Sequence, residues 1–338
     1  MATESRMEPE ADAKLGAGPP GKDPELLLCQ RPLNADLGKT NSNNDYIAPM
    51  FRDYLMPARH GAFLKLLYKL PLGNRVYRLC VERVVGAHGM INYVDARTAW
   101  MDDIVKQAQW QGIAQVVVLA AGYDTRCYRL KTGNTQFYEV DLPPVSEKKI
   151  KLVNAVIPDE KRFPRPIYAQ ADLAKTPLAK VLESNGFDPN KPALFTCEGL
   201  LCYLPQEAVD NLLAQVSQLA APGSRLCFDA LHRDHMDGRV KMRGYTNGAN
   251  ALAARGEPLL SSWETTPAGI SDYFKPLDWQ LVELLNPKDM VERRYKQKEW
   301  RQKRPPMLPF ESYVLVEKAG KKVDAAAEPK AALQAPEQ

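Results

Sequence analysis

The strongest constraint on the fold is an alternation of strand-type and helix-type segments between residues 115 and 229. The strand-type segments are short runs of β-branched, aromatic and other apolar residues, and the segments between them have helical spacing. We predict strands at 115–121, 136–140, 167–170, 193–197 and 225–229, and helices at 145–156, 177–185 and 206–220. Repeated β-α units with right-handed crossovers indicate a doubly wound, mostly parallel α/β sheet of the Rossmann-like type.

The segments that flank this core complete the predicted domain. Residues 62–70, 74–85 and 92–110 carry apolar residues at helical spacing, so we expect N-terminal helices before the first strand. Residues 279–285 and 312–316 have strand patterns, which brings the predicted sheet to seven strands.

The loosely patterned stretch 235–275 interrupts this domain after the fifth strand. Its aromatic residues predict an insertion that forms a lid over a bound acceptor, although ordinary packing explains them equally well. We assign residues 44–320 to one domain, 1–43 to a flexible N-terminal tail and 321–338 to a disordered C-terminal tail. The first tail is rich in Gly, Pro, Asn and acids, and the second is of low complexity.

Composition excludes several classes of protein. The formal net charge is +4 over 338 residues, which is too mild to indicate a nucleic-acid partner. Six cysteines form no C-x-x-C pair and four histidines add no ligand-like spacing, so we expect no metal and a reducing compartment. No secretory signal and no membrane-spanning run is visible, and we therefore expect a cytoplasmic protein without membrane association.

The ends of the first two predicted strands carry a pattern typical of a nucleoside site. Ligands of doubly wound sheets bind beyond the carboxyl ends of the strands. Strand 1 ends at Ala120-Ala121-Gly122, where small residues allow close approach and Gly122 can adopt a positive φ; a tight turn without a ligand is the alternative. Strand 2 ends at Asp141, at the spacing where an acid can bind both ribose hydroxyls, or cap the next helix. We prefer Asp141 to Glu139, which we expect on the opposite face.

The next two strands also end in carboxylates. Asp172, followed by Leu173, could bind the exocyclic amine and ring nitrogen of adenine, or could cap the helix that follows. Glu198 ends a buried apolar strand, where a carboxylate is costly unless a cation pairs with it. A cationic group of a ligand or an arginine would supply that charge.

Taken together, the stretches LAAGYDTRCYRL, YEVDLPPV, ADL and CEGLLCYLP resemble the leucine carboxyl methyltransferase family over about residues 45–320. These are class I O-methyltransferases that use S-adenosylmethionine (SAM), and CEGLLCYLP is nearer the bacterial branch thought to act on small molecules. The resemblance implies a seven-stranded sheet with an antiparallel last strand. It also implies cofactor-binding roles for the matching residues: Arg97, Ala120, Gly122, Asp124, Asp141, Asp172, Leu173 and Glu198. One position departs from the family motif G-A-G-x-D-T, because Ala120 replaces its first glycine; we expect binding to survive with slightly altered geometry.

The resemblance also suggests how the acceptor is held. Arg97 would lie between the carboxylate of SAM and the acceptor, and Tyr203 would position the acceptor oxygen. A carboxylate acceptor, on a small molecule or a protein C-terminus, needs no base because it is ionised at neutral pH. A hydroxyl acceptor would need one, and His232 or His235 is the candidate unless both are surface residues of a polar loop.

Other interpretations stay open on the sequence alone. An NAD-linked Rossmann oxidoreductase is disfavoured by the missing G-x-G-x-x-G spacing. A non-catalytic SAM-binding protein would keep the same strand ends. The basic segment 293–304 could contact RNA or an acidic partner, but a solvated loop is the simpler explanation, so we expect no nucleic-acid partner.

Overall fold

The computed structural model describes residues 43–55, 76, 89–173, 175–241, 245–254, 256–294 and 307–320. Both predicted tails and the predicted helices at 62–70 and 74–85 lie outside the described residues, apart from Asn43 and Val76. Most of the basic segment 293–304 lies outside them as well. Asn43, assigned above to the tail, is buried and donates through its backbone and side-chain nitrogens to Asp95, at 2.8 and 2.7 Å, so the described fold begins there.

Seven strands in the described residues form one sheet in the order β3-β2-β1-β4-β5-β7-β6. They are β1 Gln115–Leu119, β2 Gln136–Asp141, β3 Ile167–Gln170, β4 Ala193–Cys197, β5 Arg225–Leu231, β6 Trp279–Leu285 and β7 Glu311–Lys318. Strands β1 to β5 pair in parallel, and β7 runs antiparallel to both β5 and β6. The seven-stranded, mostly parallel sheet predicted above is therefore confirmed.

Helices cover both faces of this sheet. The α-helices are α1 Ala48–Leu55, α2 Met90–Trp110, α3 Arg126–Arg129, α4 Pro143–Val156, α5 Leu178–Glu183, α6 Gln206–Leu219, α7 Arg233–Met236, α8 Tyr245–Ala253, α9 Pro267–Phe274 and α10 Pro287–Arg294. Short 3₁₀ turns span Leu201–Tyr203 and Lys275–Leu277. Two prolines open α4, where the missing N–H groups would have no helical partner anyway.

The central strands are apolar throughout because each of their faces meets a separate core. Val116 and Val118 pack into a first core with α2 and α4, whereas Val117 and Leu119 pack into a second core with α5, α6 and α9. Every residue of β1 and of β4 is buried. A strand covered on both sides gains nothing from polar alternation, which explains the continuous apolar runs.

The edge of the sheet where the parallel strands end gathers the candidate residues. From β1 the chain continues to β2 and β3 on one side, and it then crosses to β4 on the other side of β1. The ends of β1 and β4 therefore flank the topological switch point. Strand β7 is antiparallel, and its first residue, Glu311, lies opposite Leu231 at the end of β5. This edge therefore carries side chains from the ends of the parallel strands and from the start of the antiparallel strand β7.

The predicted lid at 235–275 is only partly consistent with the structure. Trp263 and Phe274 are buried, and their rings stack with centroids 6.0 Å apart within the second core. Helix α9 packs against β6. The C-terminal part of the insertion is therefore core, and the lid prediction is wrong there. Tyr245 in α8 is half-buried beside Phe310, with ring centroids 5.1 Å apart.

Candidate active site

Arg97 is the residue that joins the ends of the central strands. It lies on α2 and is almost fully buried, 4% exposed. Its Nε donates to Glu198 at 3.1 Å, just beyond β4, and its Nη1 donates to Asp229 on β5 at 3.0 Å. Nη1 also donates to the hydroxyl of Tyr93, one turn earlier on α2, at 3.0 Å. One guanidinium thus fixes the relative positions of α2, β4 and β5 at the switch-point edge.

The remaining nitrogen of Arg97 has room around it. Within the described part of the chain, Nη2 donates no hydrogen bond. It lies near Gly199, where an added Cβ would come within 3.4 Å of it. Gly199 also has a φ of 62°, which favours glycine. Among the described residues, one nitrogen of a buried guanidinium thus lies beside a glycine and keeps hydrogen-bonding capacity that an anionic ligand group could use.

Arg126 forms a second buried cation beside the first. It has no exposed surface, and its Nε donates to Asp102 at 2.9 Å. Its Nη1 donates to Asp124 and to Glu198. Glu198 thus pairs with two arginines. These supply the positive charge that a buried carboxylate needs. The interpretation of Glu198 as a charge-paired residue holds, and the partners are protein arginines.

Both arginines stay charged in this environment. Burial alone lowers an arginine pKa, but Asp124, Glu198 and Asp102 outweigh it and raise the pKa of Arg126 well above its usual value. For Arg97, burial is likewise outweighed by its neighbours Tyr93, Asp229 and Glu198, so its pKa also rises. Fixed charges in a water-poor site act strongly on any ligand charge placed among them.

The turn after β1 has the backbone geometry that its sequence suggests. Gly122 adopts a φ of 41° and Ala120 a φ of 51°, both in the left-handed region. Such a conformation costs an L-residue other than glycine about 1–2 kcal/mol. The alanine at the family's glycine position therefore keeps the turn shape and stores strain.

Asp141 lies directly across this turn. Its Oδ2 accepts from the Gly122 N–H at 2.7 Å, and its Oδ1 accepts from the Leu142 N–H at 2.7 Å. Burial raises the pKa of Asp141, and the two N–H bonds lower it in part. The residue that caps α4 is Leu142, so the capping interpretation of Asp141 is wrong. Asp141 is instead a half-buried carboxylate beside the small-residue turn.

The prediction that Glu139 lies on the opposite face of β2 from Asp141 is also wrong. Glu139 and Asp141 are two residues apart on one strand, and such residues share a face of the sheet. What separates them is depth: Glu139 is 2% exposed and its carboxylate lies 2.7 Å from Lys149 Nζ of α4. The thiol of Cys127 donates to it at 2.9 Å. Glu139 thus belongs to packing between β2 and α4.

Asp172 and Leu173 follow β3 at the far side of the proposed nucleoside site. The Asp172 carboxylate pairs with Lys175 at 2.9 Å and is 29% exposed. Helix α5 is capped by Pro177, which excludes Asp172 as its cap. Leu173 is half-buried and packs against the second core. The adenine role assigned to these two residues stays a prediction.

Three residues that the sequence reasoning missed complete the network: Tyr93, Asp229 and Glu311. Asp229 accepts from the Gly199 N–H at 2.7 Å, and its Oδ2 lies 3.2 Å from the Tyr93 hydroxyl. Tyr93 also bonds to Glu311, the first residue of β7. An acid inside the apolar run RLCFDAL was the available signal for Asp229, since a buried charge needs partners.

The candidate acceptor residues differ in their surroundings. Tyr203 lies on the 3₁₀ turn after β4, half-buried, and burial raises the pKa of its hydroxyl. His232 Nε2 lies 2.7 Å from Ser312 Oγ, and burial lowers the pKa of His232 to about 4. His235 is buried, with its ring stacked on His232 at 5.6 Å. The interpretation of His235 as a surface residue is therefore wrong.

Metal-binding clusters and membrane-spanning helices are both absent from the described residues. Within the described ranges, no group of three or more His, Cys, Asp or Glu side chains is arranged to hold a metal ion. Helices long and apolar enough to cross a membrane are likewise absent from the part of the chain that the structure describes.

Comparison with solved structures shows which fold the chain shares. A protein described as a "putative methyltransferase" from Thermobifida fusca superposes with a TM-score of 0.53 at 17% identity, covering 86% of this chain and 94% of that one. A DUF574 family protein from Streptomyces avermitilis gives a TM-score of 0.52 at 16% identity, covering 86% and 97%. With the strand order above, these similarities show that the chain shares the fold of these two proteins.

Sequence comparison defines the family. The profile of the family described as "Leucine carboxyl methyltransferase" matches residues 34–217. A Mycobacterium tuberculosis protein named "Putative S-adenosyl-L-methionine-dependent methyltransferase" is 36% identical over 245 residues, 69% of this chain and 68% of that protein. One of the same name from Mycobacteroides abscessus is 33% identical over 213 residues, 61% of this chain and 65% of that protein. The chain belongs to the leucine carboxyl methyltransferase family and is a SAM-dependent methyltransferase, as predicted.

Proposed function

We propose that this methyltransferase moves the methyl group of SAM to an oxygen atom, a carboxylate or a hydroxyl, of a small molecule or a protein C-terminus. The observation that carries the proposal is Arg97, which Glu198 and Asp229 hold in place while its Nη2 makes no hydrogen bond to the described residues. A group fixed in this way can orient an anionic ligand without first reorganising. We place the reaction in the cytoplasm, and the proposal involves no metal, membrane or nucleic acid.

The residues along the sheet edge fit SAM in their chemistry. Asp141 supplies a carboxylate for the ribose hydroxyls, and the left-handed turn at Ala120 and Gly122 lets a ligand approach the backbone. Asp172 and Leu173 would contact the adenine. Arg97 would hold the carboxylate of the methionine part, while Asp124 acts through Arg126. SAM when bound supplies an activated methyl group, and the remaining work is positioning.

The protein must align the acceptor oxygen and keep water away from it. Arg97 on α2 and Tyr203 on the turn after β4 would hold the acceptor. Tyr203 is half-buried against the first core, so its ring can shield the site from solvent. Holding two reactants in line can supply several kcal/mol of the barrier reduction, on the order of 7–11 kcal/mol in favourable cases.

Calorimetric binding of S-adenosylhomocysteine tests the cofactor site. Asp141→Asn should weaken binding about 10- to 100-fold, because the ribose hydroxyls lose a charged acceptor. Asp103→Asn is the matched control: Asp103 lies on α2 with its side chain 60% exposed and should leave the affinity unchanged. Equal affinities for the two variants would reject the ribose role of Asp141.

Transfer of labelled methyl from SAM into fractionated cell extract tests the reaction and shows whether the product is a protein or a small molecule. Under the carboxylate form of the proposal, Arg97→Ala should abolish transfer and His232→Ala should not. The opposite pair of results would reject the carboxylate form.

A further inference from the structure

We propose that Glu311 is the general base of this enzyme, and that its acceptor is therefore a hydroxyl group. The inference rests on the proposed function and narrows it. Neither the strand-end pattern nor the family resemblance pointed to Glu311. Its position, its hydrogen bonds and its neighbours lead to this assignment.

Glu311 lies at the correct edge of the sheet. It is the first residue of β7 and lies opposite Leu231, the last residue of β5. Since β7 is antiparallel to β5, the start of β7 meets the carboxyl ends of the parallel strands. Glu311 thus stands at the same edge as Glu198 and Asp229, on the side away from Asp141 and the ribose position.

One hydroxyl links Glu311 to the Arg97 network. The Tyr93 oxygen accepts from Arg97 Nη1 at 3.0 Å, lies 3.2 Å from Asp229 Oδ2 and also bonds to Glu311 Oε2. A tyrosine hydroxyl has one proton to donate and two lone pairs. Tyr93 can therefore donate to only one of the two carboxylates. The other bond forms only if that carboxyl group carries a proton.

The charges around Glu311 favour such a proton at neutral pH. Burial, and then the Asp229 carboxylate, raise the pKa of Glu311 to about 7, against the opposing charge of Arg97. The titratable groups that face it are Tyr93 and Arg97 on α2, Asp229 on β5, Cys202 and Tyr203 on the 3₁₀ turn, and Tyr245 on α8. A base whose pKa lies near the working pH is the most effective one.

The surroundings favour a neutral acceptor over an anion. Glu198 and Asp229 are paired with Arg97, where the carboxylate of SAM would also lie. An acceptor carboxylate beside Glu311 would put a second carboxylate next to this buried group, and like charges in a buried site are costly. Tyr245 and Phe310 pack edge to face at 5.1 Å, and His235 lies 6.0 Å from Tyr245. These aromatic rings next to Glu311 offer apolar surface to the body of a hydroxyl-bearing molecule.

With Glu311 as the base, the proposed methyl transfer balances in atoms and electrons. Ionised Glu311 takes the proton of the acceptor hydroxyl. The acceptor oxygen forms a bond to the methyl carbon, and the carbon–sulfur bond breaks with its electron pair going to sulfur. The products are a methyl ether, S-adenosylhomocysteine and protonated Glu311, which returns its proton to water. His232 is a poorer base, because its pKa is about 4 and its Nε2 already bonds to Ser312.

The chemical stability of the product is the first test. The full-length enzyme is incubated with methyl-labelled SAM and an extract of the cells that make it. A methyl ether keeps its label in mild alkali and releases methyl iodide in hydriodic acid, as the inference predicts. Label released by alkali as methanol identifies a methyl ester and overturns the inference while the proposed function stands. Label that survives both treatments lies on nitrogen or carbon and overturns both.

Two variants test Glu311 itself. Glu311→Gln should lower turnover about 10²- to 10⁴-fold and leave binding of S-adenosylhomocysteine within a few-fold of wild type. The wild-type rate should rise with pH through about 7. Glu317→Gln, at the opposite end of β7 with its side chain 39% exposed, should keep both the rate and the pH profile. A Glu311→Gln enzyme with the wild-type rate overturns the inference.

A stability measurement covers the case in which the extract holds too little acceptor. A carboxyl group whose folded pKa is raised lowers the stability of the protein as pH rises from about 4.5 to 7, because the unfolded chain releases its proton while the folded chain keeps it. Wild-type stability should therefore fall from pH 5 to pH 8 relative to that of Glu311→Gln, in denaturant unfolding followed by fluorescence. Parallel pH dependences would show that Glu311 titrates normally and would overturn the inference. Failure to bind S-adenosylhomocysteine would instead reject the proposed function.

Discussion

Replacing Arg126 by methionine should destabilise the protein strongly, because Arg126 is a buried cation shared by three carboxylates. It has no exposed surface and contacts Asp102, Asp124 and Glu198. Removing one partner of a buried ion pair costs about 3–5 kcal/mol, since the charge left behind stays desolvated. Two of the carboxylates keep another arginine: Asp102 binds Arg129, and Glu198 binds Arg97. A loss of about 3–5 kcal/mol out of roughly 5–15 kcal/mol is expected.

Denaturant unfolding of the full chain at pH 8 and at pH 5 measures this loss. The carboxylates that lose their cation can take up protons, so the deficit of Arg126→Met should be smaller at pH 5 than at pH 8. The matched control is Arg239→Met, since Arg239 is 59% exposed and pairs only with exposed Asp234 and Asp237 among the described residues. Exposed pairs contribute about 0–1 kcal/mol. If Arg126→Met costs no more than Arg239→Met, the account of the buried network is refuted.

Three further predictions follow from individual residues. Ala120→Gly should stabilise the protein by at most about 1 kcal/mol, because relief of left-handed strain is offset by the greater freedom of glycine in the unfolded chain; Ala120→Val should destabilise it, and thermal unfolding compares the two. His232 has its folded pKa lowered to about 4, so its contribution to stability is present above about pH 6.5 and lost as pH falls toward 4; His232→Gln should flatten stability between pH 4 and 6.5. Gly199→Ala brings a methyl group within 3.4 Å of Arg97 Nη2 at a φ of 62° and should weaken S-adenosylhomocysteine binding, which calorimetry measures.

Much of the sheet could be predicted because its central strands are covered on both faces and are therefore apolar throughout. The bounds of β3, β4 and β6 agree with the sequence prediction. Strand β4 is buried throughout, whereas β3 and β6 lie at the edges of the sheet and keep polar residues. The predicted strand 1 extended to residue 121, but β1 ends at Leu119 because Ala120 turns to a positive φ. Apolar pattern alone does not report backbone handedness at a residue that is not glycine.

The candidate site could be predicted only where one strand end carried one conspicuous acid. Asp141 and Glu198 were found this way, and the structure places both at the switch-point edge. The partners Tyr93, Asp229 and Glu311 come from α2, β5 and β7, more than 80 positions apart along the chain. No local spacing rule joins residues that only the sheet order brings together. The same limit explains why the lid prediction failed for Trp263, whose aromatic character suits a core and a lid equally.

The central claim is that the edge of the sheet around Arg97 and Asp141 binds SAM. Calorimetric titration of the purified full chain with S-adenosylhomocysteine, with NAD as the competing ligand, tests it most directly. The account predicts saturable one-to-one binding of S-adenosylhomocysteine that Asp141→Asn weakens about 10-fold or more and no binding of NAD. Binding of NAD with no response to S-adenosylhomocysteine would contradict it.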